Sequence, residues 1–165
     1  MSSIDSRAFR NALGHFATGV TVITTADAAG NRYGVTANSY NSVSLDPPLV
    51  LWSLSRASGS LDAFMQGDTF AVHILGAHQE ELAMRFASRG DGKFIGLDTR
   101  AGMGGVPLFD DCVAHFECRT QERFEGGDHV IFLGQVVHFE ECDHDPLIFH
   151  RGKFTRVHPR DAERP

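Results

Sequence analysis

Residues 34–54 read GVTANSYNSVSLDPPLVLWSL, and the reading of this stretch decides the fold. Thr36, Asn38, Ser39, Asn41, Ser42 and Ser44 crowd polar side chains into nine residues, and Leu49-Val50-Leu51-Trp52 then follows with the character of a buried strand. Small hydroxyl and amide groups supply donors and acceptors in a confined space and leave the backbone accessible. Such a surface suits a rigid, flat, heteroatom-rich ligand. The plain alternative is a Ser/Asn-rich surface loop, against which the strand character on both sides argues. Asp46-Pro47-Pro48 marks a strand boundary, because proline has no N–H to give a ladder.

Working outward, residues 20–25 (VTVITT) are almost wholly β-branched and predict a strand. The polar turn at residues 27–31 returns the chain into a second strand over 32–36. Further strands are expected at residues 49–54, 69–75, 113–124, 129–139, 147–149 and 153–157, the last two joined by a turn at Arg151-Gly152. Three short helices complete the pattern. The first is capped by Asp5 or Ser6 and carries Phe9, Leu13 and Phe16 on one face; the second spans 61–65 with Ser58 or Ser60 as N-cap; the third runs over 78–87. Residues 88–109 break into glycines and charges and predict a long functional loop. The tail from His158 is charged and expected to fray.

These elements predict a single domain over residues 1–165, mainly β, an antiparallel barrel or sandwich with a few short flanking helices. The 17 glycines fit many tight turns, and the 13 phenylalanines supply core volume. Alternating β-α-β units are not evident, which argues against the doubly wound dinucleotide fold. A formal charge of -6 with no basic block argues against nonspecific nucleic-acid binding. No apolar run approaches a membrane span, no leader pattern opens the chain, and three cysteines without a CxxC predict a reducing, cytoplasmic setting.

Three clusters carry candidate chemistry. Arg85-Phe86-Ala87-Ser88-Arg89 ends a helix with two guanidiniums, a phenyl ring and a hydroxyl, a set that matches phosphate geometry as well as capping. Ser53, Arg56, Ser58 and Ser60 add hydroxyls and a cation before a helix start, a second candidate anion site. Gly126-Gly127-Asp128-His129 presents an imidazole at a turn, with Asp128 able to bias its tautomer; a merely exposed histidine is the plain alternative. Cys142-Asp143-His144-Asp145, with His138 and His150 nearby, invites a metal reading but matches no defined metal spacing, so no metal site is expected.

The order GVTVITT, GVTANSYNSVSLDPPLVLWSLSRASGSLDAF, TFAVHIL, RFAS, GGDHVIFLGQV and PLIFHRGKFTRV resembles the flavin reductase-like family over residues 9–157. That family comprises small FMN-binding split-barrel reductases that partner two-component flavin monooxygenases. The resemblance implies a six-stranded antiparallel split β-barrel, a homodimer, FMN or FAD as flavin and NADH or NADPH as donor. It puts Thr36, Ala37, Asn38 and Ser39 beside the flavin ring, and Ser53, Leu54, Ser58 and Ser60 along the ribityl-phosphate side. Phe86 and Ala87 pack on the ring or adenine side, Arg85, Ser88 and Arg89 lie near phosphate, and His129 meets the nicotinamide. The implied activity is NAD(P)H:flavin oxidoreduction supplying a partner monooxygenase, with a non-catalytic flavin-binding protein as the alternative. Tyr40, Trp52, His73 and Thr99 depart from the family's usual residues, and the first two bear on ring packing.

Overall fold

The computed structural model describes residues 4–158, so all but the first residue of the charged tail lies outside the described residues. In chain order the elements are α1 (Ser6–Leu13), β1 (Thr18–Gly19), β2 (Thr21–Ala26), β3 (Arg32–Ala37), β4 (Asn41–Leu45), β5 (Pro48–Ser55), α2 (Leu61–Gln66) and β6 (Thr69–Ile74). A 3-10 turn at Ala77–Gln79 leads into α3 (Glu80–Ala87), followed by β7 (Arg100–Ala101), β8 (Pro107–Leu108), β9 (Ala114–Gly126), β10 (His129–Glu141), β11 (Leu147–His150) and β12 (Lys153–Arg156). The principal sheet is antiparallel and runs β3-β2-β6-β9-β10-β5-β4, and β1-β11-β12 form a second sheet.

The principal sheet curls on itself. Ile23 and Val35 from one end share a buried cluster with Val50, Trp52 and Leu54 from the other, together with Phe70, Val130 and Phe132. Inward alternation on β5 (Val50, Trp52, Leu54) matches the two-residue period of a half-buried strand. Trp52 fills the centre, stacked on Phe132 at 4.8 Å and edge-on to Phe64 of α2 at 4.9 Å. Gly134 makes room for this core, because a Cβ there would sit 2.4 Å from the Phe70 ring. The architecture is the mainly β, antiparallel split barrel expected, with short helices at its flanks. A second cluster outside the sheet, including Val20, Val22, Ala83, Phe86, Phe94 and Phe109, seats α3 against β2 and β3.

Two elements differ from expectation. The principal sheet has seven strands rather than six, because the polar run over residues 41–45 forms an edge strand paired to β5 through a turn at Asp46-Pro47. Its side chains are mostly exposed, so no apolar alternation announced it. Residues 88–109 are not one long loop. Arg100 pairs with Leu108 and Ala101 with Pro107, Val106 and Leu108 are fully buried, and the Thr24 hydroxyl donates to the Pro107 carbonyl at 2.7 Å.

Helix ends follow their sequence cues unevenly. Asp5 caps α1, its carboxylate accepting from the Arg7 and Ala8 amides at 2.8 and 3.1 Å. Ser60 stands at the cap of α2 without a side-chain cap bond. The apolar residues of α1 meet no core among the described residues, Phe9 and Leu13 being 52 and 59% exposed, and Phe16, expected on the same helix face, lies beyond the helix end at 80% exposure.

Candidate functional site

A cleft of about 970 Å³ opens between β3, the segment joining β5 to α2, and the end of α3 with the segment that follows it. Its volume lies at the upper end of the ordinary range for cofactor pockets. The floor is set by Gly34, where a Cβ would stand 2.6 Å from a Phe86 ring carbon. Only hydrogen at that position lets α3 approach β3 so closely. Phe86 is held in turn by Phe94 and Phe109, edge-to-face at 4.9 and 5.4 Å. Lys93 reaches across the same junction, its ammonium donating to the Phe86 and Gly34 carbonyls at 3.2 and 3.5 Å. Burial lowers its pKa from the ordinary lysine value.

Most of the expected flavin-side residues come together here. Thr36, Leu54, Ser58, Ser60, Phe86, Ala87, Ser88 and Arg89 all line the cleft, although they come from three separated stretches. Phe86 is buried, while Ala87, Ser88 and Arg89 are exposed at the cleft's edge. The Thr36 hydroxyl is already engaged, donating to the Ala83 carbonyl of α3 at 2.5 Å. It therefore ties helix to strand; with its proton committed, the hydroxyl can meet a ligand only as an acceptor. Ser58 accepts from the Ser60 amide at 3.3 Å, which shapes the turn before α2.

Ala37, Asn38, Ser39, Ser53 and Arg85 stand outside the lining. Ala37 pairs with Thr21 in the sheet and Asn38 is exposed beyond the strand end. The Ser39 hydroxyl donates to the Ser53 carbonyl at 3.1 Å and accepts from the Ser53 amide at 3.0 Å, so these two serines clamp the strand-to-strand crossing. Arg85 donates to the Ile95 carbonyl at 3.0 Å and so holds the segment after α3. Arg56, read from sequence as part of an anion site, points instead to the β9–β10 turn, where it pairs with Glu125 and donates to the Gly127 carbonyl at 3.1 Å.

His129 opens β10 directly across from Ser55, a residue that lines the cleft. Its Nδ1 lies 2.7 Å from an Asp128 carboxylate oxygen, the pairing that sequence proximity suggested. The hydrogen bond to His129 lowers the Asp128 pKa. Gly127, at φ 70°, supplies the left-handed position the turn requires.

The four departures sort by place. Trp52 is fully buried in the barrel and does not line the cleft, so its bearing on ring packing is through the core alone. Tyr40 stacks on Phe116 at 6.1 Å, and burial raises its pKa. Thr99 accepts from Arg32, whose guanidinium lies 4.9 Å over the Phe94 ring. His73 is fully buried with one tautomer imposed: Nδ1 donates to the Val22 carbonyl at 3.0 Å and Nε2 accepts from the Phe109 amide at 3.2 Å. Lys93, Phe94 and Ser55 were missed by sequence reading. Lys93 and Phe94 follow Gly90 and Gly92 in a segment without periodicity, so only the glycine-rich context hinted at a role.

Fold and cleft define a split-barrel protein whose pocket has an aromatic floor and a hydroxyl- and arginine-bearing rim. Residues 13–158 match the family described as flavin reductase like domain. The chain belongs to that family. It is 46% identical over 152 residues to the FMN reductase (NADH) SmoA of Agrobacterium fabrum, covering 92% of this chain and 86% of that one. It is 38% identical over 158 residues to the flavin-dependent monooxygenase, reductase subunit HsaB of Rhodococcus jostii, covering 95 and 80%. A "Probable flavin reductase" of Rhizobium meliloti is 44% identical over 150 residues, 91% of this chain, but the match spans only 48% of that protein. Among solved structures, the NADH:FAD oxidoreductase SgcE6 of Streptomyces globisporus, in complex with NAD and FAD fragments, aligns with a TM-score of 0.89 at 38% identity, covering 99 and 100%. No helix among the described residues is long and apolar enough to cross a membrane.

Proposed function

We propose that this chain reduces FMN or FAD with a reduced nicotinamide, NADH in the first place, and supplies reduced flavin to a flavin-dependent monooxygenase. The observation that carries the reading is the convergence of Thr36, Ser58, Ser60, Phe86, Ala87, Ser88 and Arg89 on one cleft. The donor set fits a flavin. A buried phenyl floor suits a flat ring, while hydroxyls, backbone amides near Gly59 and the Arg89 guanidinium suit a ribityl chain ending in phosphate.

When bound, flavin supplies the two-electron chemistry, taking hydride from the nicotinamide. The protein's share is placement. Gly34, Phe86 and Lys93 fix the floor on which a ring rests, and Thr36, tied to α3, brings its backbone to the cleft wall beside that floor. Aligning two rings at reactive distance is worth several orders of magnitude in rate. His129, oriented by Asp128, is assigned to the nicotinamide carboxamide. Ser88 and Arg89 are assigned to phosphate.

Two further assignments belong to the same reading. The exposed apolar residues of α1, with Val43 and Leu45 of β4 at 48 and 96% exposure, support a homodimer. Sedimentation at the mass of a single chain at micromolar concentration contradicts it. The free thiols of Cys112, Cys118 and Cys142 support a cytoplasmic setting. The reductase assignment itself is tested by anaerobic addition of NADH to the protein with FMN or FAD.

A further inference from the structure

His115 and Glu117 lie two apart on β9 and so share one face of the strand. The β9–β10 register sets His138 opposite Glu117 and Glu140 opposite His115. Four side chains able to ligate a metal thus form a square on one face of the ribbon. Such a square is invisible to sequence spacing, because its two sides lie about 20 residues apart and meet only through strand pairing.

Burial makes this square unusual. His115 and Glu117 are only 5 and 7% exposed. The ligand atoms of His115, Glu117 and His138 all lie within 4.8 Å of one another. The His115 Nε2 atom is buried with no hydrogen-bond partner among the described residues, a costly state for an imidazole nitrogen. His115 also lines a small cavity of about 200 Å³, together with Arg100 and Glu140. Glu117 is held in place from outside, its Oε2 accepting from the Met103 amide at 2.6 Å. Glu140 stands next to both imidazoles, 3.4 Å from His138 Nε2 and 3.9 Å from His115 Nδ1.

The local charge favours a cation. Arg100 is the neighbouring positive group, and it is matched by Asp110 at 2.9 Å and Glu140 at 2.6 Å, with the Glu117 carboxylate acting on it through space. His73 faces His115 from β6, but both of its ring nitrogens are already bonded, so it is excluded as a ligand.

A second group, His78, Asp111 and His144, is the natural competitor. There the Asp111 carboxylate already accepts from both histidines, at 3.0 and 2.7 Å. These exposed contacts are complete without an ion, and no atom of the three is a buried orphan among the described residues.

We propose that His115, Glu117 and His138 form a binding site for a divalent transition metal, zinc by its ligand set, on the β9–β10 ribbon. Two imidazoles and one carboxylate are a common zinc set, leaving a fourth position for water. Glu140, held by Arg100, is the positioning residue that orients the imidazoles, as carboxylates near such ligands do. None of the four lines the large cleft, so the site is separate from flavin chemistry. It cross-links the two longest strands beneath the Gly102–Met103 turn.

The test uses the full chain, stripped with chelator, reloaded with zinc chloride and desalted, with metal counted by mass spectrometry and thermal unfolding followed alongside. The wild type is expected to retain one zinc per chain and to unfold at higher temperature when loaded. His138 is more than half exposed, so H138Q keeps the fold and is expected to weaken zinc binding about tenfold or more. E117Q serves as the second ligand variant, and H144Q is expected to bind zinc like the wild type. Cobalt should give a visible absorption of low-symmetry coordination in the wild type and lose it in H138Q. Failure of the wild type to retain zinc overturns the site. So does retention that survives H138Q and E117Q, or that is lost in H144Q instead.

Discussion

Replacing Gly34 with alanine tests how the cleft is built. The added Cβ would meet Phe86 at 2.6 and 2.7 Å and Phe94 at 3.3 Å, where ordinary contact begins near 3.4 Å. One of these rings must move by nearly an ångström. Phe86 is 1% exposed and pinned edge-on by Phe94 and Phe109, so it cannot swing into open space. Overpacking of this kind costs about 1–3 kcal/mol. For a domain of this size that corresponds to a fall in Tm of roughly 2–12 °C. Phe86 lines the cleft, so FMN affinity measured by fluorescence quenching should fall with stability. Gly19→Ala is the control, since nothing lies within 4 Å of its Cβ, and it should stay within about 0.5 kcal/mol. A G34A protein with unchanged Tm and unchanged flavin affinity would refute the account of the floor.

His73 gives a pH dependence. Burial first of all holds its pKa down to about 4 against an ordinary 6.5, so between these values the unfolded chain binds a proton that the fold refuses. Stability is therefore full above the ordinary value and falls as pH drops through the window, by about 2 kcal/mol between about pH 7 and about pH 5. Urea unfolding of wild type and H73N reads this as a difference in slope, and equal slopes contradict it. Replacing His129 with alanine should raise KM for NADH while flavin affinity stays close to that of the wild type; equal loss of both contradicts the nicotinamide assignment.

The barrel was legible because its inward strands carry β-branched and aromatic residues with glycine-marked turns, as at 20–25 and 129–139. β4 was not legible, since an exposed polar edge strand has no alternation to display. β7 and β8 escaped for a different reason: two-residue strands are held by tertiary contacts such as Thr24 to Pro107, not by local propensity. At the site, the residues of RFAS and SGS were found by type. Which atoms are free to act was not, because the engagement of Thr36 with Ala83 and of Arg56 with Glu125 depends on partners 47 and 69 residues away. The square of His115, Glu117, His138 and Glu140 was hidden by the same limit, since it exists only in the register of two strands.

The central claim is flavin reduction by this chain, and anaerobic mixing of the purified protein with FMN or FAD and excess NADH tests it most directly. The account predicts that the yellow flavin absorbance bleaches at a rate proportional to protein concentration and returns when air is admitted. Flavin that binds in the cleft yet stays oxidised in the presence of NADH and NADPH would contradict it and leave a flavin-binding protein without reductase activity.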